Sequence, residues 1–464
     1  MLTRRLAPVT LALVALLGAS GPASPAQAQA QAGPHANYVP GEIVVGYAAS
    51  TEIAHTARTL GATAGTSALQ STRIVKVSRG RSIWPTIAKL RRQRGVMYAV
   101  PNYVAHQAGG WIPNDPGNTH HRKGWRKLQW NFLPGAGIDA PAAWSHMFRV
   151  HRPGGRGVTI AVLDTGVAYR DWDRFREAPD FTNTKFVDPY DFVAKNPFPL
   201  DREGHGTFVT GMIAESTNNR FGLTGLAYGA TIMPVRVLDA DGNGDSVTIG
   251  KGIRYAVVHG ARVINLSLEF DKSVTASDIP EVINAIGFAH RHGVVVVAAS
   301  GNDSDTRLAY PAAVRSVISV GATTSDRCLA DYSNGGSRLD LVAPGGGDDA
   351  SLSDDPDCHP FRTLPPVHQM TFQDLDSLTP GANAARFGFP GIYGTSMAAP
   401  AVSATAALVI ASGVIGRHPS PDHVLDRLEQ TATPLGGAAR PNDEFGWGLV
   451  NAGAATAPGP PRPR

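Results

Sequence analysis

Cysteine is almost missing from this 464-residue chain, which carries only Cys328 and Cys358. Two thiols leave room for one bridge at most, so the fold has to rest on a hydrophobic core. Acidic residues are nearly missing from the first 110 positions, where two Asp+Glu face eleven Lys+Arg. The remaining residues hold 31 Lys+Arg against 36 Asp+Glu, so the sequence pI of 9.1 comes from the leading segment. A mildly acidic main body excludes a broad nucleic-acid surface. Long apolar runs are missing too. The run Leu11–Leu17 is too short to span a bilayer. No internal repeat is visible, and no second Asp-Thr-Gly accompanies the one at 164–166. What remains is a globular composition, 42% hydrophobic and 17% charged, with 51 Gly and 35 Pro pointing to many turns.

The short apolar run has a use of its own. Arg4 and Arg5 precede it, and small-residue sites follow at 26–28, 28–30 and 30–32. That order reads as an export signal over residues 1–32, so a secreted, extracellular protein with no membrane span is expected. In an exported chain the two cysteines are expected to form a Cys328–Cys358 disulfide. Closing a loop of that length is worth roughly 3–4 kcal/mol in the chain-entropy account.

Residues 38–106 predict a small α+β unit. Strand candidates are 41–47, 72–77 and 95–103, and Ile83, Ile87 and Leu90 mark the apolar face of a helix between them. A polar, Gly-containing junction at 107–110 predicts the domain boundary. From Gly157 onward, short apolar runs alternate with helical segments. The runs are 158–163, 232–238, 262–268, 294–299, 317–322 and 339–343; the helices are 205–215, 246–259, 279–292, 396–412 and 421–430. Runs apolar on both faces and separated by helices predict an α/β fold, a doubly wound, mostly parallel sheet with helices on both faces. Ligands in such a fold bind beyond the carboxyl ends of the strands. A Pro-rich tail over 456–464 completes the chain.

Three features fall at strand ends or helix starts. Asp164 closes the apolar strand Val162-Leu163-Asp164; His205 opens a helix of small residues in Gly204-His205-Gly206-Thr207; Ser396 opens another in Gly394-Thr395-Ser396-Met397-Ala398-Ala399-Pro400. A serine in the first turn of a helix lies beside unpaired backbone N–H groups at the positive end of the macrodipole. Such donors can hold an oxyanion. A nucleophilic serine also needs a base, and an imidazole base needs a carboxylate to fix its tautomer. An aspartic-protease reading of Asp164-Thr165-Gly166 would need a second carboxylate of the same kind, and none exists.

Taken together, these three blocks resemble the subtilisin-like serine proteases, in the order Asp, His, Ser, over most of residues 130–455. The resemblance implies a subtilisin-like peptidase domain over 111–455. It also implies that residues 33–110 are an inhibitory, folding-assisting propeptide, with nine Lys+Arg against two Asp+Glu. Asp164, His205 and Ser396 are then the expected triad, and Asn302, in Ala298-Ala299-Ser300-Gly301-Asn302, the expected oxyanion donor. Ser267, Leu268 and Glu269 are expected to pair with substrate, with Ala299, Ser300 and Gly301 as the opposite wall of the S1 pocket. Glu269 stands where the family usually has glycine, and its side chain either turns to solvent or projects over the pocket rim.

The loop 215–223 resembles the family's structural calcium loop. Asn219 takes the side-chain ligand position, Gln129 is a candidate partner, and Asp171 and Asp173 are candidate carboxylates. Calcium would be structural only, since the chemistry needs no cofactor. Expected partners are protein or peptide substrates and the chain's own propeptide, with no nucleic acid and no membrane, and the expected state is a monomer.

Overall fold

The computed structural model describes residues 38–47, 63–64, 72–78, 82–103, 111–119, 122–351, 358–360, 362–373, 385–436 and 440–459. The export segment expected over 1–32, the junction at 107–110 and the end of the tail lie outside the described residues. The chain divides into two compact units, Met1–Ala108 and Gly109–Arg464.

Among the described residues, the first unit is a four-stranded antiparallel sheet with one helix. Its elements are β1 (Tyr38–Tyr47), β2 (Thr63–Ala64), β3 (Thr72–Lys76), α1 (Trp84–Arg91) and β4 (Val96–Tyr103), in the sheet order β2-β3-β1-β4. Alternation along β1 sends Ile43 and Val45 into a small core with Val75, Ala99, Ile83, Ile87 and Leu90. The i, i+4, i+7 spacing on α1 is therefore its buried face.

The second unit is built on one parallel sheet. In chain order its main elements are α2 (Ala140–Arg149), β5 (Thr159–Asp164), β6 (Lys185–Phe186), β7 (Tyr190–Asp191), α3 (His205–Ala214), β8 (Thr231–Arg236), α4 (Ser246–Val258) and β9 (Val263–Leu266). They continue with α5 (Pro280–Arg291), β10 (Val295–Ala299), β11 (Ile318–Thr323), β12 (Leu341–Pro344), α6 (Thr395–Ser412), α7 (Pro421–Thr431) and α8 (Ala452–Thr456). The strand order is β12-β11-β10-β9-β5-β8-β6, with β7 also on β8, and every pairing is parallel.

Alternating residues feed two separate cores. Ile160 and Val162 of β5 pack on the face covered by α3 and α6, whereas Ala161 and Leu163 pack on the face covered by α4 and α5. Both faces are apolar, which is why these strands read as unbroken runs. Helix α6 is buried along almost its whole length. It is the one described helix long and apolar enough to cross a membrane, and it packs inside the protein. Cys328 and Cys358 are joined, with Cα atoms 5.7 Å apart.

Candidate active site

The sheet brings the three predicted residues to one cleft. Asp164 is the last residue of β5, His205 the first of α3, and Ser396 the second of α6. His205 Nδ1 lies 2.8 Å from Asp164 Oδ1. Asp164 is fully buried, and the same oxygen accepts the Thr165 backbone N–H at 2.8 Å. His205 and Ser396 both line a cleft of about 410 Å³ that also takes in Leu238, Ile249 and Leu268. Ser396 Oγ donates to the Ser267 carbonyl at 3.3 Å, and no hydrogen bond joins it to His205 in this state. Such bonds commonly tighten only when substrate is present.

Close approach of β5 and α3 depends on Gly206. A Cβ there would lie 2.1 Å from the Gly166 carbonyl and 3.0 Å from Asp164 Cβ. Asp201, which sequence reasoning missed, braces the same corner. Its Oδ1 accepts Thr165 Oγ1 and the Glu203 and Gly204 N–H groups; its Oδ2 accepts Thr207 N and Oγ1. The available signal was its place four residues before the histidine, in Asp201-Arg202-Glu203-Gly204-His205.

The serine is anchored through its own carbonyl. Pro400 lacks the N–H that would bond the Ser396 carbonyl in a regular helix. Ser267 Oγ donates to that carbonyl instead, at 2.8 Å. Asn265 Nδ2 donates to Ser267 Oγ at 3.0 Å, and Ser403 Oγ donates to Asn265 Oδ1 at 2.8 Å. A chain of polar side chains thus ties α6 to β9 beneath Ser396. Pro400 in an apolar helix was the one legible sign of a carbonyl in need of another donor.

Charge at the site is mostly negative. Burial, the largest single effect, works against the His205 cation, but the Asp164 carboxylate, Glu203 and Asp201 together outweigh it, pushing the imidazole pKa up to about 9. Glu203 is itself raised, first by burial and then by Asp201. Its Oε2 accepts the His205 backbone N–H at 2.6 Å.

Asn302 lies at the mouth of α6. Its Oδ1 accepts Thr395 N at 2.9 Å and Thr395 Oγ1 at 3.0 Å, which fixes the amide with Nδ2 away from Thr395. Among the wall residues, Ala299 and Ser300 are buried, and Ser300 Oγ donates to the Asn334 carbonyl, so these two build the wall from behind. On the opposite strand the backbone groups of Leu268 and Glu269 have no hydrogen-bond partner among the described residues. An edge of that kind can accept an added strand. Glu269 does not turn away from the cleft: its carboxylate reaches Asn302.

The loop 215–223 gathers different acids from those expected. Asn219 Nδ2 donates to Asp180 Oδ1 at 2.5 Å, and Asp115 accepts the N–H groups of Asn218, Asn219 and Arg220. Gln129 is placed elsewhere, with its amide spent on Thr224 and Gln369. Asp171 and Asp173 also lie apart. Asp171 accepts the Glu177 N–H, and the Asp173 carbonyl accepts Arg176. Asp115, Asp180 and Glu215 are fully buried; Asp180 Oδ2 and Glu215 Oε1 accept no N–H or O–H donor among the described residues, and the Asp180 and Glu215 carboxyls lie against each other. Burial pushes Asp115 up to about 6 and raises Asp180 and Glu215 as well. The reason for the difference is burial: Asp180 sits in an enclosed turn, whereas Asp171 and Asp173 are on the surface.

With this geometry in hand, comparison with known proteins is decisive. The profile of the subtilase family, peptidase S8, matches residues 155–448. The chain belongs to the subtilase family. The fervidolysin N-terminal prodomain profile matches residues 24–102, so this subtilase carries an N-terminal prodomain. Among curated relatives it is 31% identical over 417 residues to a thermophilic serine proteinase of Bacillus sp. (strain AK1), covering 89% of this chain and 86% of that one. It is 35% identical over 323 residues to subtilisin BL of Lederbergia lenta, covering 69% of this chain and 96% of the relative. A solved protease structure from Pseudoalteromonas arctica PAMC 21717 aligns with TM-score 0.58 and 27% identity, over 75% of this chain and 99% of that one. The second unit is a subtilisin-like serine protease domain, and the large parallel sheet is the subtilisin fold.

Proposed function

We propose that this subtilase is a secreted endopeptidase, made as a precursor that cuts itself, with Asp164, His205 and Ser396 as its triad. Ser396 Oγ attacks the scissile carbonyl while His205 Nε2 takes its proton and then returns it to the leaving amine. Asp164 holds Nδ1 and stabilises the imidazolium. Asn302 Nδ2 and the Ser396 backbone N–H hold the oxyanion, and the acyl-enzyme is released by water. The observation that carries this reading is the 2.8 Å His205–Asp164 contact at the rim of the cleft that holds Ser396. The export-type leader supports secretion, and the basic leader set against an acidic protease domain supports a propeptide that finds its own enzyme by charge.

The buried acids fit a structural calcium ion. Asp115, Asp180 and Asn219 would hold it with oxygens of the same loop, and its charge would offset two carboxylates that no cation meets among the described residues. No group of three or more His, Cys, Asp or Glu side chains forms a metal cage among the described residues, so loop carbonyls would complete the set.

The test is covalent. A serine-directed fluorophosphonate is expected to label wild type at Ser396, and Ser396→Ala to remain unlabelled and uncut. Release of segment 33–110 by the Ser396→Ala protein alone would rule out self-processing.

A further inference from the structure

Glu269 and Asn302 form a bridge between segments 267–269 and 299–302, the two sides expected to flank S1. Glu269 Oε2 accepts the Asn302 backbone N–H at 3.2 Å, and Oε1 accepts Asn302 Nδ2 at 3.1 Å. The carboxylate thereby crosses from the 267–269 strand to the opposite wall. It rests against Gly301, where φ is +113° and a Cβ would lie 2.6 Å from Oε2 and 2.2 Å from Asn334 Nδ2. Only a bare glycine leaves room for it. No Lys or Arg pairs with Glu269 among the described residues. The cleft beside it contributes two more carboxylates, Glu203 and Asp271, and no Lys or Arg. Burial raises the Glu269 pKa, the two Asn302 hydrogen bonds oppose that, and Asp303 adds to it.

We propose that Glu269 makes this protease select a cationic side chain, arginine ahead of lysine, at P1, the residue whose carbonyl is attacked. The inference rests on Ser396 being the nucleophile. A neutral P1 residue leaves the carboxylate on Asn302, beside the position where the oxyanion grows, and like charges there oppose the transition state. A P1 guanidinium takes both carboxylate oxygens in a fork, draws them off Asn302 and frees the second Nδ2 hydrogen. Discrimination then appears in kcat as well as in KM, because the freed donor acts on the transition state.

The experiment uses peptides identical except for Arg, Lys, Phe or Leu at P1, with wild type, Glu269→Gly and Glu269→Gln. Glutamine keeps an oxygen for Asn302 and loses the charge. In both variants the Arg-to-Phe ratio of kcat/KM is expected to fall by about fivefold, the size of a partly exposed ion pair. Added salt should narrow the wild-type ratio and leave that of the variants unchanged. An unchanged ratio in both variants overturns the proposal. So does a ratio that falls with glycine and not with glutamine, since shape alone then accounts for it. Fluorophosphonate labelling of each variant separates the two levels. A labelled enzyme with an unchanged ratio rejects only the role of Glu269; a protein that neither labels nor cuts any peptide rejects the protease reading and this one with it.

Discussion

In the proposed reaction His205 has to be neutral when substrate arrives, and its surroundings favour the cation. Burial alone would keep it neutral, but Asp164, Glu203 and Asp201 together outweigh burial and carry the pKa up to about 9. The acidic limb of kcat/KM is therefore expected on the alkaline side of neutrality. Glu203→Gln removes one of the negative groups while keeping an acceptor near the His205 N–H, so it should move that limb to lower pH. A wild-type midpoint in the ordinary imidazole range would refute this account of the field. At this scale the three candidate residues could be singled out because His205 and Ser396 each open a helix of small residues and Asp164 closes an apolar strand. Their supports could not. Asn265 and Ser403 are polar residues 138 positions apart, and no local pattern marks such a pair; Asp201 offered only its place four residues before His205. Asp180 was missed for the same reason, since its value as an acid comes from burial and not from its neighbours in sequence.

Among the elements, the apolar runs gave strand ends to within two or three residues, because a strand buried on both faces starts and stops where polarity returns. The run read over 262–268 is β9, Val263–Leu266, followed by the exposed-edge segment at 267–269. Polarity does not return there, since Ser267 and Leu268 are buried too, so the end of pairing was invisible. The contact of β5 with α3 leaves no room for a Cβ at Gly206. Gly206→Ala places a methyl against the Gly166 carbonyl and Asp164, and nothing flexible is there to yield. Overpacking of this kind costs about 1–3 kcal/mol. Displacing His205 by even a fraction of an ångström should lower kcat by at least about tenfold. A Gly206→Ala enzyme with wild-type kcat would show that the helix can shift without moving the imidazole. The 328–358 loop gives a second test at this scale. Non-reducing peptide mapping should find the two cysteines joined, and Cys328→Ser with Cys358→Ser should lose roughly 3–4 kcal/mol of stability. Two free thiols in the secreted protein would reject it.

For the whole molecule, proton binding sets activity and stability against each other. His205 is pushed up to about 9, Glu429 to about 7, and Asp115 and Asp340 to about 6; Asp180 and Glu215 are raised by burial too. Each of these groups binds its proton more tightly folded than unfolded. Its contribution is fully present below the unfolded pKa and is lost as pH rises through the folded pKa. The unfolded values are 6.5 for histidine and 3.8 to 4.5 for the carboxyls, so folding stability should decline from about pH 4 to about pH 9. Over the upper part of that window activity is rising, as His205 loses its proton. A divalent cation held by Asp115 and Asp180 would bind only the folded protein and would stabilise it by mass action, offsetting the decline at the upper end of the window. The Ser396→Ala protein, which cannot digest itself, makes the measurement clean. In EDTA its Tm should fall steadily from about pH 6 to about pH 9. Millimolar calcium should raise Tm, and Asp180→Asn should abolish that rise while leaving His205 and the cleft untouched. A flat Tm in EDTA would show that other groups set the pH dependence, and a calcium shift that survives in Asp180→Asn would place the ion elsewhere.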